Sequence, residues 1–208
     1  KSLETELIVM KRSVIAIVEG HAEVETIPII FRRIQDDLGE YDLECTRPYR
    51  VSRYKIVKEG ELERAIIQAT RDRLNPSCIF IILDADDDDP DVLIPMLEDR
   101  CRKVTSPPCS VVLARRELEA WFLGAKESLR GFRGIKTDAT NPAEPENIRD
   151  AKGLLESNMV IGSYFKSGDQ PAFAKQFDMR MAHERCPSFR KLFDDFIGIL
   201  KSIKTSGQ

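Results

Sequence analysis

Residues 78–83, CIFIIL, constrain this chain more than any other stretch. Six consecutive apolar positions, half of them isoleucine, are too few for a helix and suit a strand covered on both faces. Residues 13–18, SVIAIV, repeat the pattern. Strands of that kind occur where helices lie on both sides of a parallel sheet. Each run also ends in a carboxylate, Glu19 after the first and Asp84 after the second.

The segments between agree with that reading. Val24, Ile27, Ile30, Phe31, Ile34 and Leu38 recur at helical spacing, and Gly39 supplies a C-cap. Residues 43–54 hold a weaker strand. A helix is expected over residues 61–74, with Leu62, Ala65, Ile66, Ala69 and Leu74 on one side and Asn75-Pro76 ending it. Residues 91–103 predict a helix, 109–113 (CSVVL) a strand, and 117–123 the start of another helix. This alternation is the grammar of an α/β fold with a mostly parallel, Rossmann-like sheet flanked by helices. Residues 131–147, rich in Gly, Pro, Thr and Asn, read as a long loop. Helices are expected at 150–157, 170–177 and 188–203. The expected organisation is therefore a leader or cloning remnant at 1–12, an α/β core at 13–124, and a loop and helical extension at 125–208 packed on that core. Met10-Lys11-Arg12 reads as a native start.

Composition narrows the setting. The formal charge is −3, from 32 Lys and Arg against 35 Asp and Glu, so the chain as a whole is no basic nucleic-acid binder. A local basic stripe can still coexist with an acidic site. The five cysteines, Cys45, Cys78, Cys101, Cys109 and Cys186, form no CxxC pair and leave an odd count, which points to a reducing cytoplasm. No apolar run approaches ~18–20 residues, so no membrane span is expected.

The chemistry resides in the acidic strand ends. VEGHAE at 18–23 places Glu19 at the end of a buried strand and Glu23 one helical turn later, with Gly20 allowing a tight turn. LDAD at 83–86 places Asp84 and Asp86 after another strand, and Asp87, Asp88 and Asp89 follow. Ligands of such sheets bind beyond the carboxyl ends of the strands. Mg²⁺ takes oxygen ligands, usually one or two carboxylates with waters or phosphates completing the shell. Carboxylates crowded there repel one another unless a cation neutralises them. The competing reading is a set of solvated acidic loops, with Glu23 a first-turn carboxylate favoured by the helix dipole.

An EGxxE after the first strand and a DxD after a later one resemble the TOPRIM domain of topoisomerases, primases and OLD (overcoming lysogenization defect) nucleases, over residues 13–123. The nearest likeness is to small stand-alone TOPRIM-like proteins of prokaryotes, often encoded beside an ABC- or AAA-type ATPase in antiviral defence loci. The resemblance implies Glu19, Glu23, Asp84 and Asp86 as ligands of Mg²⁺ or Mn²⁺, with Asp88 a further candidate. It also implies a glutamate after the last sheet strand that completes a second metal position. In RRELEAW at 115–121 that is Glu119, with Glu117 next, the alternative being a surface helix start anchored by Trp121. Lys166, in YFKSGDQ at 164–170, corresponds to a lysine beside the scissile phosphate.

The activity implied is two-metal-ion hydrolysis of DNA or RNA, with Glu19, Asp84, Asp86 and Lys166 as the catalytic set. No GxxxxGK[ST] loop occurs in these residues, so an ATPase would be a separate partner. A homo-oligomer is compatible with all of this. Two rival functions remain at this level: a DxD phosphohydrolase or nucleotide-modifying enzyme with Asp84 as nucleophile, and a metal-binding partner module without catalysis. Arg47, Arg50, Arg53, Lys55 and Lys58 form either a phosphate-tracking edge or a solvated face. His21 reads as a loop residue beside the site, and His183 as structural.

Overall fold

The computed structural model describes residues 12–41, 43–72, 76–160 and 163–205. Five strands form one all-parallel sheet: β1 (Arg12–Val18), β2 (Leu43–Cys45), β3 (Tyr49–Arg50), β4 (Pro76–Asp84) and β5 (Cys109–Ala114). The order is β2-β1-β4-β5, and β3 also pairs with β1, beyond β2. β2 pairs with Arg12, Ser13 and Val14, and β3 with Ile17 and Val18. The weak strand expected at 43–54 is therefore an edge strand broken in two at residues 46–48, where Pro48 cannot donate to the ladder. The short helix α2 (Arg53–Ile56) follows it.

Helices cover both faces. Alternate residues of the strands supply two separate cores, as a period of two requires. Val14, Ala16, Val18, Phe80, Ile82 and Val112 enter one core, with α1 (His21–Leu38) above them. Ile15, Ile17, Ile79, Ile81, Leu83 and Val111 enter the other, under α3 (Glu61–Arg71) and α4 (Pro90–Arg102). Fully burying one such side chain is worth ~1.5–3 kcal/mol, so β4, wholly buried from Cys78 to Ile82, is the anchor of the fold. Gly39 ends α1 in the left-handed conformation (φ 65°), as its position predicts. α3 ends at Arg71 and Pro76 opens β4; Leu74 and Asn75, expected at the end of the helix and at its stop, lie outside the described residues. So do residues 1–11 of the expected leader, while Arg12 belongs to β1.

Beyond α5 (Glu119–Gly124), residues 125–150 run through short 3₁₀ turns rather than regular elements. Four helices follow: α6 (Ala151–Ser157), α7 (Lys166–Gln176), α8 (Met179–Arg185) and α9 (Pro187–Thr205). They complete the first core. Phe196 of α9 stacks on Phe31 of α1 at 4.5 Å between ring centroids and tilts against Phe80 of β4 at 5.9 Å. α7 packs along α1. Helix α8 is absent from the sequence expectations, and α7 begins four residues earlier than expected. His183 lies in α8, with Nε2 2.9 Å from Asp194 Oδ1 of α9, a structural contact as anticipated.

Candidate metal centre

The carboxyl ends of β1, β4 and β5 point to one edge of the sheet, and α7 delivers a lysine to it. Lys166 is the first residue of α7. The residue before it is held by Asp169, whose Oδ2 accepts from Phe165 N at 2.7 Å and whose Oδ1 accepts from Arg133 Nε at 2.6 Å. The Lys166 ammonium then stands among three carboxylates: 2.9 Å from Glu23 Oε1, 3.7 Å from Asp84 Oδ2 and 3.8 Å from Glu119 Oε1. Burial alone would lower the pKa of this lysine. Glu119, Asp84 and Glu23 outweigh it and hold the ammonium above its ordinary value.

Each carboxylate is placed by its own local chemistry. Glu23 is 4% exposed in the first turn of α1, and a Cβ on Gly20 would overlap its carboxylate. Gly20 has φ −103°, which any residue adopts, so the glycine is needed for space and not for the turn geometry first read into it. Asp84 closes β4. Its Oδ1 accepts from Leu118 N at 2.8 Å, tying the ends of β4 and β5 together. Burial pushes its pKa to about 8, against the opposing pull of Lys166. Glu119, 1% exposed, opens α5. Its Oε1 accepts from Tyr164 Oη at 3.0 Å and Gln170 Nε2 at 3.2 Å, and Gln170 Oε1 in turn accepts from Thr26 Oγ1 at 3.0 Å. Tyr164, buried beside Glu119, is held well above the usual phenol range.

A second, more exposed group adjoins this inner one. Asp86 adopts a left-handed conformation (φ 49°), tolerable for Asp, and its N–H donates to Arg116 O. Arg116 is itself left-handed (φ 69°). The Arg53 guanidinium of α2 donates to Asp84 O and Asp88 Oδ2, and its Nε lies 3.8 Å from Asp86 Oδ2. Glu19 is electrostatically coupled to both groups. Its carboxyl is raised by burial first, then by Asp86, with Arg53 and Lys166 opposing.

The structure thus gathers Glu23, Asp84, Glu119 and Lys166 tightly, and sets Glu19, Asp86 and Asp88 around Arg53 beside them. Glu117 is turned elsewhere: its Oε2 accepts from Lys152 N at 2.9 Å and serves the first turn of α6. Among the described residues no three acidic, histidine or cysteine side chains already stand as a ligand set; Lys166 lies among Glu23, Asp84 and Glu119, and Arg53 beside Asp86 and Asp88. From sequence, Arg53 belongs to a phosphate-tracking edge or a solvated face, and Tyr164, Gln170 and Thr26 carry no role.

The donor set nonetheless fits a divalent cation. Glu19 Oε2 and Glu23 Oε2 are buried without a hydrogen-bond donor. A buried carboxylate oxygen lacking a donor is costly, and a hard cation is the partner that relieves it. In the inner group, three carboxyl groups face one ammonium, and Glu19 adds a fourth carboxyl group beside them.

No curated protein and no solved structure matches the chain. A family model described as a domain of unknown function, DUF4276, matches residues 18–197, from the last residue of β1 into α9, and takes in every residue of the candidate centre. The chain belongs to the DUF4276 family.

Proposed function

We propose that this chain is a Mg²⁺-dependent, TOPRIM-like nuclease of the prokaryotic cytoplasm, the effector of an antiviral defence system gated by a separate ATPase. The observation that carries the reading is the meeting of three carboxyl groups, Asp84 at the end of β4 and Glu23 and Glu119 at the starts of α1 and α5, on one ammonium, with donorless oxygens on Glu19 and Glu23 beside them. Glu19, Glu23, Asp84 and Glu119 are the residues that would hold Mg²⁺, or Mn²⁺ in its place, with Asp86 and Asp88 on the outer side. Bound there, the metal supplies Lewis-acid stabilisation of charge at a phosphodiester. Tyr164 and Gln170 fix the orientation of Glu119. Lys166 offers a fixed positive charge to a non-bridging phosphate oxygen, and Arg53 offers a second one on the outer side.

The gating part rests on the resemblance to proteins encoded beside ATPases. The test is cleavage of plasmid DNA and of tRNA with Mg²⁺ or Mn²⁺, by the chain alone and co-expressed with a neighbouring ATPase. The expected result is weak cleavage alone, strong cleavage with the partner, and none in either case for Asp84→Ala. Cleavage that survives Asp84→Ala, or no metal-dependent cleavage in either setting, would overturn the reading.

A further inference from the structure

A groove of about 490 Å³ runs between the β3–α2 segment and α3, within the ~300–1,000 Å³ range of ligand sites. Its charged lining is Arg50, Lys55, Arg64 and Arg71 against a single carboxylate, Glu61, a local formal charge of +3 on a chain whose total is −3. All four cations are exposed. Among the described residues, Lys55 and Arg71 make no side-chain ion pair, and Arg64 pairs only with Glu61. Such an exposed pair is worth ~0–1 kcal/mol, so Arg64 is available to a stronger anion.

The groove is placed to serve the acidic centre. Arg50 pairs in register with Val18, the residue before Glu19, and its Nη1 lies 3.5 Å from Glu19 O. Helix α2 separates the two regions by one turn, with Arg53 committed to the aspartates and Lys55 lining the groove. Arg64, Gln68 and Arg71 are spaced four and three residues apart, so they share one face of α3. At 1.5 Å per residue the two arginines lie about 10 Å apart along the helix, far enough to meet different phosphates of one strand. A cluster of carboxylates repels a polyanion at a distance, and an adjoining basic channel offsets that repulsion and sets the direction of approach.

We infer that this groove binds the phosphate backbone of a nucleic-acid strand and leads it to the carboxyl edge of the sheet. The inference rests on the nuclease reading for its purpose and on the groove alone for its binding. The experiment is fluorescence anisotropy of a labelled single-stranded oligonucleotide, in EDTA, across a salt series. It compares the full chain, Arg64→Ala with Arg71→Ala, and Arg102→Ala with Lys103→Ala. The last pair removes two cations from the far end of α4, where they face Glu98 and Asp99.

The groove variant is expected to bind roughly tenfold more weakly. Its plot of log affinity against log salt should flatten by about 1.4, at ~0.7 per lost phosphate contact on a single strand. The α4 variant should bind like the parent. No binding by the parent chain, an unchanged groove variant, or equal weakening by the α4 pair would overturn the inference. Hydrolysis of bis(p-nitrophenyl) phosphate by the parent chain with Mn²⁺ reports on the catalytic reading independently, since that substrate has no strand to track.

Discussion

Phe80 and Ile81, in the middle of β4, are wholly buried among apolar side chains from both helical layers. Asp84, three residues further along the same strand, has Glu23, Glu119 and a lysine for neighbours, and burial drives its pKa to about 8. Two non-glycine residues at that edge, Asp86 and Arg116, hold left-handed backbone, and two buried carboxylate oxygens lack donors. Left-handed backbone at such residues is a cost that survives only where the surrounding fold over-determines it. The contrast teaches where this molecule keeps its stability and where it keeps its chemistry. The sheet centre holds a frustrated carboxyl edge in place.

If that division is right, the largest loss of stability should come far from the acidic edge. Phe196→Ala removes the ring that joins α9 to α1 and β4. It should cost ~3–5 kcal/mol, read as a lower denaturation midpoint in urea. A loss under 1 kcal/mol would mean that α9 is an appendage and not part of the core. At the edge itself, Lys166→Met strips the cation from Glu23, Asp84 and Glu119. Metal-free protein should lose about 1–3 kcal/mol. Mg²⁺ should then raise the melting temperature of the variant more than that of the parent, because metal and ammonium compete for the same carboxylates. An equal Mg²⁺ response in both would break the link between the two cations. Smaller still is Glu146→Ala. Glu146 accepts from Ser188 N at 3.0 Å and so caps α9 from a distant loop, and its loss should cost ~1 kcal/mol in the same urea titration. No change there would show that the start of α9 is held by packing alone.

The same contrast explains what the sequence could disclose. β4 was legible because burial on both faces writes an unbroken apolar run. α1 was legible from its periodicity and Gly39. Helix α8 was not, because seven residues give no periodic signal and its start depends on Asp178, which accepts from Arg180 N and Met181 N. The start of α7 was hidden by Gly168, which argues against a helix there. At the site, Glu19, Glu23 and Asp84 stood out because each follows or adjoins a buried strand. Tyr164, Gln170 and Thr26 are single polar residues from distant segments, brought to Glu119 only by the packing of α7 on α1. Glu117 stood as the next candidate after Glu119 because two residues on a short turn differ in direction, which sequence does not encode. Gly20 was legible as important, but for the wrong reason: the space it leaves belongs to Glu23.

In the proposed reading, the inner carboxylates, with Glu19, form a divalent-cation centre. Calorimetric titration of Mn²⁺ into the purified chain and into Asp84→Asn tests it most directly. Asn keeps the size of the side chain and can still accept from Leu118 N, while removing one ligand charge. Saturable Mn²⁺ binding is expected for the parent, lost or weakened at least ~10-fold in Asp84→Asn, with the thermal stability of the metal-free variant equal to or above that of the parent. Mn²⁺ binding that is absent from the parent, or unchanged by Asp84→Asn, would contradict it.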